Sequence, residues 1–216
     1  MFKLFYAPTP TSARVLMFLE ELKLDYKKCP INIFKKENLK PEYASIVSTK
    51  KVPALFDNGE LFSDSANILL HLSQKHNKLM PKSLSWYFWA TSELNPKLMQ
   101  HLRELLAGNS NVEMMDKLKE QIKVLLEVLD KQLANKDFLE ENTYSITDIN
   151  AYTLVKFYMV RNCIPNLFND FANIKKWVAK IDSKDSVERV VEILTAFNAD
   201  AEHQPEEITN FISSVT

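Results

Sequence analysis

The apolar positions change rhythm along the chain, and the change divides it in two. Residues 2–7 (FKLFYA) form a short aromatic-rich run that predicts a buried strand, ended by Pro8 and Pro10. From Ser12 the spacing turns helical, with Val15, Leu16, Leu19 and Leu22 recurring on one face. Residues 25–33 predict a second strand, and residues 35–47 a polar loop followed by a short helix. Val52–Phe56 and Glu60–Phe62 flank Asn58-Gly59, and an Asn-Gly pair between apolar runs is a strong hairpin signal. A further helix is expected from Asp64 to His76, with Ile68, Leu69 and Leu72 on one side. The order β-α-β-α-β-β-α in under 80 residues implies a small sheet with helices packed against it.

The alternation stops at residues 78–85 (KLMPKSLS), a linker candidate. Beyond it every stripe has helical spacing: Leu118, Ile122, Leu125, Leu129 and Leu133; then Ile149, Tyr152, Val155 and Met159. Phe171, Ile174, Trp177 and Ile181 form the next, and Val187, Val190, Leu194 and Phe197 the last. A second, all-helical domain is expected over residues 85–216, after a first domain over 1–78. The tail from about Asp200 is weakly patterned and is expected to be mobile.

Composition narrows the function. The 216 residues contain two glycines, Gly59 and Gly108, where average usage would give about fifteen. That excludes the G-x-G-x-x-G dinucleotide fingerprint, the Walker phosphate loop and the G-x-S-x-G nucleophile elbow. A net charge of -1 with no basic excess argues against nucleic acid as a partner. Cys29 and Cys163 lie far apart, which suits a reducing compartment and buried small hydrophobes rather than a disulfide framework. His71, His76, His101 and His203 lack ligand spacing, so no metal is expected. The N-terminus does not read as a signal peptide, and no stretch approaches the roughly 18 apolar residues of a membrane span. A cytoplasmic protein without a membrane partner is expected.

Three short motifs could carry chemistry. Val52-Pro53 opens the third strand. The bland reading is a strand-start proline; a cis turn there would leave the Val52 N–H and C=O free to pair with a peptide-like ligand. Asp64-Ser65 opens the next helix, either as a plain N-cap or as a site for an α-amino-acid head group. In the second case the helix N-terminus takes the carboxylate and Asp64 the ammonium. Ser145-Ile146-Thr147-Asp148 reads as a structural capping box, with Tyr144 and Ile149 at the staple positions.

KVPAL (51–55), DNGEL (57–61) and SDSANIL (63–69) together resemble the N-terminal domain of glutathione transferases. SITDI (145–149) resembles the core box of the same superfamily's helical domain. The resemblance runs from about Phe2 to about Val190. FYAPTP (5–10), FLEELKLDY (18–26) and WYFWATSELNP (86–96) look like the bacterial nu class, with the beta class next nearest. The nu class is known for binding glutathione and reducing disulfides.

The resemblance implies a thioredoxin-like α/β domain followed by an all-α helical bundle, usually as a homodimer. It implies glutathione as cosubstrate, and a hydroxyl or N–H donor that favours its thiolate for attack on a hydrophobic electrophile or a disulfide. The alternative it leaves is a non-catalytic scaffold or regulatory binding protein of the same fold. The donor would sit in the loop Thr9-Pro10-Thr11-Ser12. Thr9 matches the nu-class Thr, and Thr11 stands where that class has Asn. Ser12 is either a donor or the N-cap of the first helix. Tyr6 is read as core rather than catalytic. Beta-class Cys and His positions correspond to Thr11 and Asn95, so a protein mixed disulfide is disfavoured. Val52, with Pro53, would hold the cysteinyl unit, Asp64 and Ser65 the γ-glutamyl end, and Asn38 and Lys51 the glycine carboxylate. Lys35, Lys36, Lys40 and Lys50 make the rim basic, either as a field for glutathione's two carboxylates or as a plain solvated face. Trp86, Phe88 and Trp89 are candidates for an apolar co-substrate wall, or simply helix core. Three places where the family often carries glycine hold other residues here: Lys50, Glu140-Glu141, and Thr9 or Thr11.

Overall fold

A computed structural model describes residues 1–108 and 111–197; the tail from Asp200 lies outside the described residues. In chain order the elements begin β1 (Phe2–Tyr6), α1 (Pro10–Glu21), β2 (Tyr26–Pro30), a 3-10 turn (Glu37–Leu39), α2 (Pro41–Ile46), β3 (Ala54–Asp57), β4 (Glu60–Ser63) and α3 (Ser65–His76). Helices α4 (Ser85–Trp89), α5 (Asn95–Leu106), α6 (Val112–Gln132), α7 (Ile146–Arg161), α8 (Ala172–Asp182) and α9 (Asp185–Thr195) follow, with a π-helical turn at Ala90–Leu94. Two compact units result: Met1–Lys75 with the stretch that begins at Asp185, and His76–Lys184.

In the first unit the sheet order is β2-β1-β3-β4. β1 and β2 are parallel, so the chain must cross over between them, and α1 does so. β1 pairs antiparallel with β3, and β3 with β4. The hairpin stands where Asn58-Gly59 predicts it, with φ of 49° and 95° at those residues. Leu4, Val15, Leu16, Leu19, Leu55 and Leu69 are completely buried. Phe5, Cys29, Ile31, Tyr43, Val47 and Ala54 form a second apolar cluster, with Tyr43 edge-on to Phe5 at 5.7 Å.

Two expectations shift here. Helix α1 starts at Pro10, two residues before Ser12: Pro10 occupies its first turn, where a missing N–H costs nothing, and Thr9 is the cap. The last stripe, expected to close the helical domain, packs on α1 instead. Arg189 holds the Glu20 carboxylate at 3.0 Å and the Glu20 carbonyl at 2.7 Å, and Ser186 donates to Glu21 at 2.6 Å.

In the second unit α7 is buried on every side from Ile146 to Val155, as a central helix must be. On α6 the core position is Leu126, not Leu125, which is half-buried. At the start of the unit Tyr87 enters the core, Phe88 is exposed, and Trp86 and Trp89 are half-buried, edge-to-face at 5.0 Å. The π-helical turn ends two residues before Pro96, which has no N–H to give to the helical ladder. Asn150 of α7 holds that turn, donating to the Tyr87 carbonyl at 3.2 Å and the Thr91 hydroxyl at 2.9 Å.

Candidate active site

Sheet register gathers the motifs of the first unit at one end. Phe5 of β1 pairs with Cys29 of β2 and with Ala54 of β3, and Ala54 pairs with Ser63 of β4. β1 leaves this row into the loop of Thr9, Thr11 and Ser12. β3 enters it from Val52-Pro53, and β4 leaves it into Asp64-Ser65. Residues distant in sequence, Thr9 and Val52 among them, thus come to the same sheet edge through pairing alone.

The loop after β1 is a hydroxyl cluster. Thr9 Oγ1 accepts the Ser12 N–H at 3.2 Å, which makes it the N-cap of α1, and donates to Ser12 Oγ at 3.1 Å. Thr11 Oγ1 lies 3.1 Å from Thr9 Oγ1. Thr9 has one hydrogen and gives it to Ser12, so Thr11 is the donor between the two threonines. Ser12 is completely buried and its Oγ also accepts the Ala7 N–H at 3.3 Å. Ser12 is therefore neither the cap nor open to a ligand, while Thr9 and Thr11 are half-buried. Tyr6 is buried in β1, ring to ring with Phe197 at 6.4 Å, and burial followed by the Cys29 thiol pushes its phenol above the usual range.

The Val52-Pro53 bond is cis. Among the described residues the Val52 N–H and C=O have no hydrogen-bond partner, so a donor and an acceptor stand unpaired beside the sheet. The residues before them are held firmly. Asn38 donates to the Lys50 carbonyl at 2.8 Å and the Tyr43 hydroxyl to the Lys51 carbonyl at 2.7 Å. Asn38 thus adjoins the segment of Lys51, whose side chain is exposed, as are Lys35, Lys36, Lys40 and Lys50.

Asp64 has the N-cap role and keeps one carboxylate oxygen outside it. With φ of 68° it caps α3, its Oδ1 accepting the Ala66 N–H at 2.9 Å and the Asn67 N–H at 3.4 Å. Its Oδ2 carries no hydrogen bond among the described residues and is free for a cation. Ser65 is buried, its N–H lacks a partner among the described residues, and its Oγ accepts from Arg14 Nη1 at 3.2 Å. Arg14, buried on α1, thereby links the hydroxyl loop's helix to the start of α3. It is the residue sequence reasoning missed; an arginine at a helical core position beside Val15 and Leu16 was the available signal.

The family model for the N-terminal domain of glutathione S-transferase matches residues 4–81, and that for the C-terminal domain matches residues 80–185. The chain belongs to the glutathione S-transferase superfamily. The disulfide-bond oxidoreductase YfcG of Escherichia coli K12 is 29% identical over 199 residues, 85% of this chain and 91% of that protein. Glutathione transferase YghU from Streptococcus pneumoniae, solved in complex with glutathione, superposes with a TM-score of 0.81 at 25% identity, over 89% of this chain and 82% of that one. A Pseudomonas putida glutathione transferase with one glutathione disulfide bound per subunit gives a TM-score of 0.79 at 25% identity, covering 89% and 91%. The likeness to a bacterial disulfide-bond oxidoreductase agrees with the resemblance read from residues 5–26 and 86–96.

Two of the positions where the resemblance implies glycine have a backbone that favours it: Lys50 has φ of 55° and Glu141 of 67°. Glu140 does more than fill its place. Buried, it accepts the Lys82 and Ser83 N–H groups and the Thr147 hydroxyl at 3.1 Å, pinning the expected linker to the capping-box loop. In the box, Ser145 Oγ accepts the Thr147 N–H at 3.2 Å and Asp148 accepts the Ser145 N–H at 3.1 Å. Asp148 also takes the Leu139 N–H and Trp177 Nε1–H, both at 2.9 Å. Burial nevertheless outweighs these donors and pushes its carboxyl up to about 6. Asn95 is buried and donates to Asn150 Oδ1 at 3.1 Å, a structural role. Burial raises the Cys163 thiol, which keeps it protonated and poorly nucleophilic. Among the described residues no group of three or more His, Cys, Asp or Glu could hold a metal, and no helix is long and apolar enough to cross a membrane.

Proposed function

We propose that this chain binds glutathione along the sheet edge of its first unit and promotes the thiolate, for reduction of a disulfide or attack on a hydrophobic electrophile. The register row Phe5–Ala54–Ser63 carries the reading, because it assembles three complementary groups for one extended tripeptide. The Val52 N–H and C=O pair with the cysteinyl backbone. The Ser65 N–H receives the γ-glutamyl carboxylate at the α3 N-terminus, and Asp64 Oδ2 the ammonium. Asn38 and Lys51 receive the glycine carboxylate. On binding, the Thr11 hydroxyl turns from Thr9 Oγ1, or the Thr9 hydroxyl from Ser12 Oγ, toward the sulfur, favouring its charged form. Glutathione supplies the thiolate that displaces one sulfur of a disulfide, and a second glutathione releases the remaining thiol as glutathione disulfide forms. The chain's residues hold, orient and polarise. A cytoplasmic homodimer is the assembly that goes with this reading, and sedimentation equilibrium tests the dimer.

Passage over immobilised glutathione, followed by assay of the eluate with an aryl halide and with a small disulfide, tests the function. Retention with turnover is expected. Neither retention nor turnover would overturn the reading, and retention without turnover would favour the non-catalytic scaffold.

A further inference from the structure

A cavity of about 320 Å³ opens among the end of α5, the start of α6 and the segment after α7. Leu105 and Met115 give it apolar walls, and Lys119 and Asp116 stand at it as an exposed ion pair, 2.8 Å apart. Those two charges satisfy each other. The group left over is His101, which lines the cavity at 1% exposure.

The protonation of His101 follows from its neighbours. The Tyr158 hydroxyl lies 2.5 Å from the Leu98 carbonyl, a contact two oxygens tolerate only with a hydrogen between them. Tyr158 therefore donates to Leu98, and its oxygen accepts at 3.1 Å from His101 Nδ1, which carries the hydrogen. Burial, and then the charge of Lys119, hold the imidazole below its usual pKa, so the ring is neutral. Its Nε2 is then a bare acceptor, buried and without a hydrogen-bond partner. A buried acceptor left unpaired is costly in an apolar wall, and a ligand hydroxyl removes the cost.

The chemistry selects the ligand class. A carboxylate would meet the Nε2 lone pair, and an ammonium would find Asp116 already held by Lys119. A neutral hydroxyl on an apolar ring meets neither, and aromatic carbon suits the Met115 thioether. We propose that this cavity binds a small phenol, its hydroxyl donating to His101 Nε2 and its ring lying against Leu105 and Met115.

The test uses the full chain, with para-chlorophenol and its methyl ether, para-chloroanisole, titrated by calorimetry. The phenol is expected to bind one to one and about tenfold more tightly than the ether, the difference being the hydrogen bond. His101→Phe should erase that preference, and Leu105→Trp, at a position 46% exposed, should abolish binding of both without disturbing the core. In the wild-type chain the nitrogen-15 resonance of His101 Nε2 should start at the unprotonated position and move on adding phenol. That last readout needs no variant to fold. Equal affinities, no binding, a preference that survives His101→Phe, or an unmoved Nε2 resonance would overturn the proposal.

Discussion

Replacing Thr9 with Val removes a hydroxyl that has two duties. As the N-cap of α1 it accepts the Ser12 N–H at 3.2 Å, and loss of such a cap costs about 1 kcal/mol. It also bonds Ser12 Oγ and Thr11 Oγ1, each at 3.1 Å. Thr11 is half-buried and can turn to water, but Ser12 is completely buried and its hydroxyl is left with the Ala7 N–H, at 3.3 Å. That weakened network adds about 1 kcal/mol, so urea denaturation should record a loss of about 2 kcal/mol in total. If on binding the Thr9 hydrogen turns from Ser12 Oγ to the glutathione sulfur, its removal costs the bound thiolate about one pKa unit of stabilisation, about 1.4 kcal/mol. Thiolate absorbance against pH should then move up by about one unit, and kcat/KM for disulfide reduction should fall about tenfold. Thr9→Ser keeps both bonds and should restore most of each property. A Thr9→Val protein that is destabilised yet unchanged in thiol pKa and kcat/KM would make Thr9 a cap alone and pass the donor role to Thr11. No loss of stability would refute the capping argument itself.

Asp148 makes the helical unit sensitive to pH in an unusual direction. Its folded pKa, about 6, exceeds the ordinary 3.8, so the folded state binds the proton more tightly. The associated stability is fully present below the ordinary value and is lost as pH rises through about 6, a span of about two units or 3 kcal/mol. Asp148→Asn does not titrate, so its unfolding free energy relative to wild type should improve by about 3 kcal/mol between about pH 4 and about pH 7; a difference that ignores pH would contradict this. Lys50 holds φ of 55° at the surface, where an L-residue pays a steric cost. Unfolding free energies should therefore rank Lys50→Gly above wild type by about 0.5 kcal/mol, and wild type above Lys50→Val; the reverse order in urea denaturation would remove the argument from backbone conformation.

What was legible in the sequence was local. The Asn58-Gly59 hairpin and the capping box at Ser145 depend on neighbours within a few residues, and both stand as read. What was not legible depends on who packs against whom. The stripe of α9 announces an apolar face but not that α1 covers it. Leu125 and Leu126 are adjacent, and a one-residue rotation about the α6 axis decides which enters the core. Ser12 looks like a cap because it precedes the apolar rhythm; Pro10 lets the helix begin earlier and hands the cap to Thr9. The candidate site was legible as three motifs, but the register that gathers them at one sheet edge is tertiary. Arg14 escaped notice, and Glu140 was read only as a filled glycine position, because a buried charge is recognised by its partners, Ser65 in one case and the Lys82 and Ser83 amides in the other.

The central claim is that one sheet edge binds glutathione, and a nitrogen–proton correlation spectrum of the full chain titrated with glutathione addresses it residue by residue. The amides of Thr11, Val52 and Ser65 should shift together, along one saturation curve, while those in the middle of α7 stay in place. Shifts confined to the helical unit, or none at millimolar glutathione, would contradict the account.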